Sequence, residues 1–89
     1  MLKRELLISN KLGLHARASA KLTKLASEFS SDVWLSKGSR RVNAKSIMGV
    51  MMLAAGIGAR VTVEADGDEA AQALDAIGQL VDDKFGEGE

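Results

Sequence analysis

The sequence predicts an α/β domain of the α+β kind, with a layer of helices over one face of a sheet. Three observations lead there. Short apolar segments of strand length or strand period alternate with helical segments in the order β-α-β-β-α-β-α. The helical segments carry apolar stripes that all need cover, which one shared sheet face supplies. The chain has 89 residues and no internal repeat or linker, so residues 1–89 read as a single domain, since chains usually divide only beyond ~250 residues.

The first strand is expected over Lys3 to Ser9, around Leu6-Leu7-Ile8, and is closed by the turn residues Asn10-Lys11-Leu12-Gly13. The period then changes. Ala18, Leu22, Leu25 and Phe29 recur at spacings of four, three and four, while Arg17, Lys21, Lys24 and Glu28 lie largely off that stripe. Ala16 to Phe29 therefore reads as an amphipathic helix. Asp32 to Lys37 and Arg40 to Asn43 read as two antiparallel strands joined at Gly38-Ser39, because glycine accepts the positive φ of a tight turn. A short helix is expected from about Ser46 to Leu53, with Ser46 as N-cap and Gly56 as stop signal. Val61, Val63 and Ala65 alternate with Thr62, Glu64 and Asp66, the period of a half-buried strand. The last helix carries the stripe Ala70, Ala73, Leu74, Ile77, Leu80 and Val81, and Asp66-Gly67-Asp68-Glu69 is expected to place acidic residues in its first turn. Gly86-Glu87-Gly88-Glu89 is expected to be a flexible acidic tail.

Composition excludes much. Twelve basic and twelve acidic residues leave no net field to recruit nucleic acid or anionic lipid. No apolar run approaches the ~20 residues of a membrane span, and Met-Leu-Lys-Arg-Glu lacks the apolar stretch of a secretory signal. Without cysteine there is no disulfide frame, thiol nucleophile or cysteine zinc site, and one histidine excludes a multi-histidine metal site within the chain. A cytoplasmic, monomeric domain without cofactor or bound metal is the expectation.

His15 is the first candidate for chemistry. It sits at or beside the cap of the first helix, where backbone amides from Ala16 onward lack intrahelical partners and the helix dipole is positive. Together with the Arg17 guanidinium, that setting suits a phosphoryl group carried on the imidazole, or an oxyanion beside it. The plain alternative is a capping or exposed histidine without a task. Ser46 is the second candidate. As an N-cap it contributes roughly 1 kcal/mol; with Arg40, Arg41 and Lys45 close in sequence, it also suits a phosphate of about −1.5 to −2 charge. Ile47, Met48, Met51 and Met52 exceed what one core face of a two-turn helix needs. Part of this group is expected in the core and one or two as an exposed partner-binding patch.

Gly13-Leu14-His15-Ala16-Arg17-Ala18-Ser19, followed by Asn43-Ala44-Lys45-Ser46-Ile47-Met48-Gly49, resembles the histidine-containing phosphocarrier family, HPr, of the bacterial sugar phosphotransferase system. The likeness covers essentially the whole chain. It implies an open-faced β-sandwich, a four-stranded antiparallel sheet with three helices on one face. It also implies that His15 takes a phosphoryl group on Nδ1 from phospho-enzyme I, charged by phosphoenolpyruvate, and passes it to an enzyme IIA, sugar-specific or nitrogen-related. Such a protein is a covalent carrier and no independent catalyst. By the same resemblance Arg17 would stabilise the phosphoryl group, Ser46 would be the target of an HPr kinase/phosphorylase, and Ile47, Met48, Met51 and Lys24 would meet partners; the unpaired amides of Ala16 and Ala18 at the helix start would add to that stabilisation. The chain departs from the family in one place: Ala18 stands where proline is common. Ala18 restores an amide that proline lacks.

Two other classes compete. Small α/β sheets can bind RNA, but Phe29, Trp34 and Phe85 are too few for a stacking platform and the net charge is zero. A hydrolase using His15 with Ser19, one helical turn away, lacks an evident carboxylate to orient the imidazole.

Overall fold

The computed structural model describes residues 1–88. Four strands form one antiparallel sheet: β1 (Leu2–Leu7), β2 (Asp32–Lys37), β3 (Arg40–Asn43) and β4 (Arg60–Asp66), in the spatial order β1-β4-β2-β3. Three α-helices, α1 (Ala16–Ala26), α2 (Ile47–Met51) and α3 (Ala70–Asp82), and a short 3-10 turn at Lys84–Gly86 complete the described elements.

Pairing places Leu6 opposite Val61 on β1 and β4, and Val33 and Leu35 opposite Ala65 and Val63 on β2 and β4. These side chains are all buried, so the period-two pattern sends one face into the core. The helices cover that face. α3 lies against β1, β4 and β2, while α1 packs on α2 and α3. The opposite face is polar: Trp34 stands opposite Glu64, and the Arg41 guanidinium lies 4.2 Å from the Trp34 ring centre with Nε 3.2 Å from Glu64. The indole is thus covered by a cation, an arrangement worth ~0.5–1 kcal/mol at an exposed site. Phe29 and Phe85 belong to the packed side of the molecule, so no row of aromatics is available for bases.

Several boundaries differ from the sequence expectation. β1 closes at Leu7 instead of Ser9, because the backbone of Ile8 bonds to Gly58 and Ala59, in the loop before β4. Helix α1 ends at Ala26 instead of Phe29: Glu28 and Phe29 donate to Leu25 and Ala26, which tightens the chain out of the α register. Ser27 Oγ donates to the Thr23 carbonyl at 2.8 Å and so competes for the last-turn acceptors. Phe29 still packs on the core from beyond the helix end.

Helix α2 is five residues long, ending at Met51, and its only buried residue is Val50. The expectation that part of its apolar group enters the core fails: Ile47, Met48, Met51 and Met52 are 45%, 71%, 38% and 59% exposed. The acidic first turn of α3 is a second correction. Glu69 is the residue before the helix and makes no side-chain cap; its carboxylate accepts from the Ser30 amide at 2.8 Å, which holds its pKa below the usual value. Glu69 thereby ties the start of α3 to the loop after α1.

The chain after α3 is held at Phe85. Phe85 is 1% exposed and lies in the core, which brings Gly86 and Glu87 against the fold. Lys84 and Phe85 take φ of 53° and 55°, in the left-handed region that costs a non-glycine residue ~1–2 kcal/mol. Burial of the ring offsets that cost, and Lys21 Nζ donates to the Phe85 carbonyl at 2.6 Å. Glu89, the last residue of the expected tail, lies outside the described residues.

Candidate functional site

The site grows from the turn between β1 and α1. Asn10 is completely buried, its Nδ2 donating to the Gly13 carbonyl at 2.8 Å. Gly13 has φ of 65°, a left-handed conformation that suits glycine. A Cβ there would lie 2.5 Å from the Ala55 carbonyl oxygen, so the position also requires the missing side chain. This closeness lets the Leu14 amide donate to Ala55 at 2.8 Å, pinning the turn to the loop before β4.

The pinned turn delivers His15 to the N-cap of α1. Its backbone is extended, with φ −73° and ψ 177°, and its side chain makes no capping hydrogen bond. The first bond of the helix runs from the Ser19 amide to the His15 carbonyl at 2.8 Å. The amides of Ala16, Arg17 and Ala18 therefore precede the intrahelical ladder, and they carry the positive end of the helix dipole. Ala16 and Arg17 are exposed, while the Ala18 side chain is buried in the core.

His15 is half-buried and borders a cleft of about 630 Å³. Lys11, Arg17 and Lys21 bring positive charge to its walls, and Glu87 is the acidic member. In a chain with no net charge, this is a local basic environment suited to an anion.

Glu87 closes one side of the site. One carboxylate oxygen meets His15 Nε2, and the other accepts from Asn10 Nδ2 at 3.0 Å. The Asn10 amide first, and then the His15 ring, hold the Glu87 carboxyl below its usual pKa, with further help from the Lys21 charge. The sequence expectation had no carboxylate near the imidazole. Tertiary structure supplies one across 72 residues of chain.

That carboxylate does not create a serine–histidine pair. Ser19 is fully buried and its hydroxyl donates to the Leu14 carbonyl at 3.1 Å. Ser19 is a structural residue of the turn.

Ser46 stands apart from this cleft, at the N-cap of α2, where its Oγ accepts from the Gly49 amide at 3.1 Å. The neighbouring cations take other partners. Arg40 donates to the Met52 carbonyl at 2.8 Å, Arg41 covers Trp34, and Lys45 donates to the Phe29 carbonyl at 3.0 Å. Ile47, Met48, Met51 and Met52 lie beside Ser46 as an exposed apolar group, and Lys24 is exposed in the last turn of α1. Asn10, Lys21 and Glu87 are the site residues that sequence reasoning missed. Asn10 read as a turn residue, Lys21 as a solvated helix face, and Glu87 as a frayed end. No local signal distinguishes such roles.

Comparison with known proteins agrees with this architecture. Residues 2–83 match the protein-family model described as the PTS HPr component phosphorylation site. The phosphocarrier protein HPr of Cupriavidus necator is 62% identical over 89 residues, all of both chains. A phosphocarrier protein NPr of Shewanella violacea is 48% identical, covering 97% of this chain and 94% of that protein. A crystal structure of HPr-C-His from Thermoanaerobacter tengcongensis superimposes with a TM-score of 0.94 at 45% identity, covering 98% of each chain.

Proposed function

The chain belongs to the HPr family of the phosphotransferase system, and on that footing we propose that His15 accepts a phosphoryl group from phospho-enzyme I and hands it to an enzyme IIA. The observation that carries this reading is the placement of a half-buried imidazole at the start of α1, in a cleft walled by Lys11, Arg17 and Lys21.

The chemistry asks little of the carrier. The lone pair of Nδ1 attacks phosphorus, the bond from phosphorus to the donor breaks, and the donor keeps that electron pair. Charge on the three phosphoryl oxygens spreads as the transition state forms. Amides of Ala16, Arg17 and Ala18 and the Arg17 guanidinium are the groups here suited to receive it. Most of the positioning comes from docking to donor and acceptor, which turns a bimolecular encounter into a transfer within one complex. Reversal of the same steps discharges the group to enzyme IIA, and the labelled IIA identifies whether a sugar-specific or nitrogen-related branch is served.

The exposed Ile47, Met48 and Met51 side chains support a docking role for α2, since adaptable methionine surfaces suit several partners; Lys24 would add a charged contact. Ser46 at the edge of that patch supports a regulatory role for its phosphorylation by an HPr kinase/phosphorylase. No helix among the described residues is long and apolar enough to cross a membrane.

The test is mass spectrometry after incubation with enzyme I and phosphoenolpyruvate. The chain is expected to gain one acid-labile phosphoryl group, and His15→Ala to gain none. An alanine variant that still takes an acid-labile label would remove His15 from the reading.

A further inference from the structure

We propose that Glu87 is a positioning residue for His15, its carboxylate holding the Nε2 proton so that Nδ1 presents the attacking lone pair. This inference rests on the phosphoacceptor reading of His15 and deepens it.

The argument starts from donor and acceptor chemistry. An ionised carboxylate only accepts hydrogen bonds, so the ring nitrogen facing Glu87 carries a proton. That nitrogen is Nε2. In the neutral ring the proton can occupy only one nitrogen, and Nδ1 is left unprotonated.

The carboxylate is itself held. Asn10 is completely buried, and its Nδ2 spans the Gly13 carbonyl and the second oxygen of Glu87. Both neighbours are acceptors, which dictates the amide orientation. On the other side, the buried Phe85 anchors the chain two residues before Glu87, and Lys21 fastens the Phe85 carbonyl. The imidazole thus has an orienting group that is itself held, and the hydrogen bond at one ring nitrogen sets which nitrogen carries the proton.

Charge gives Glu87 a second effect. When Nδ1 bonds to phosphorus, Nε2 keeps its proton and the ring becomes cationic. Glu87 then faces a developing positive charge, an interaction stronger in the transition state than in the ground state.

A small donor separates this proposal from protein docking. Phosphoramidate transfers its phosphoryl group to imidazole: the new bond joins phosphorus to the ring, the phosphorus–ammonia bond breaks, and ammonia leaves with its electron pair. Nitrogen and phosphorus NMR of the full chain then report the rate and which ring nitrogen is loaded. The unaltered chain is expected to load at Nδ1 and to show Nε2 protonated beforehand. Glu87→Ala is expected to load about tenfold more slowly, the equivalent of ~1.4 kcal/mol, with part of the label on Nε2 and mixed ring tautomers. Glu87→Gln offers one accepting oxygen where the carboxylate offers one each to Asn10 and His15, and is expected to restore the Nε2-protonated tautomer only in part.

An alanine variant with the original tautomer and the original nitrogen loaded would overturn the proposal. So would a slower rate with an unchanged tautomer, which marks a structural role only. Failure of the phosphoacceptor reading appears differently: the unaltered chain takes no label from phospho-enzyme I, whatever phosphoramidate does.

Discussion

Ser46 shows how one oxygen can serve two ends. Unmodified, it satisfies the Gly49 amide and starts a helix of only five residues. Esterified, it would bring about −1.5 to −2 charges beside Ile47, Met48 and Met51, and a partner burying those side chains would have to desolvate that charge. A penalty of only ~1.4 kcal/mol lowers affinity tenfold. Ser46→Asp is accordingly expected to slow phosphoryl transfer from enzyme I by weakening docking. Stopped-flow rates over a range of enzyme I concentrations check this, and an unchanged rate would leave the serine as a cap alone. At this scale His15, Arg17 and Ser46 were legible as candidates because each belongs to a run whose neighbours are adjacent in sequence. Glu87 was not, since its partners His15 and Asn10 lie 72 and 77 residues away.

Elements were legible wherever a stripe or an alternation had residues enough to declare itself. The β4 alternation, the Gly38-Ser39 hairpin and the α3 stripe all stand in the structure, with Gly38 at φ of 60°. The ends were less so, because Ser27 and the backbone of Ile8 choose among competing hydrogen-bond partners that local pattern does not reveal. The connection from β1 to α1 has its own control point. Gly13→Ala is expected to destabilise the protein by at least ~1–2 kcal/mol from the left-handed conformation alone. The clash with Ala55 and Gly56 adds to this. Chemical denaturation measures the loss, and a variant as stable as the parent would show that the turn can move away from that loop. Such a shift would carry His15 with it.

Across the whole molecule, the core and the site share a fastening at the C-terminal end. Phe85 is among the largest fully buried side chains, and it stands two residues before the carboxylate that meets His15. Phe85→Ala is expected to lose ~3–5 kcal/mol of stability. It should also release Glu87, so that hydrogen exchange at Gly86 and Glu87 rises more than exchange in β4. Melting together with site-resolved exchange tests both parts; protection retained at Glu87 would show that Asn10 and Lys21 hold the segment without the ring.

By itself the sequence determined the element order, the sheet-plus-helices class and the motifs that mark His15 and Ser46, because those depend on periodicity, turns and caps spanning a few residues. Only the tertiary structure decided that α2 leaves Ile47, Met48 and Met51 all in solvent and that the chain after α3 turns back to the imidazole. Both outcomes follow from which surfaces compete for the core: Val50 and Phe85 enter it, and their neighbours go where that burial leaves them.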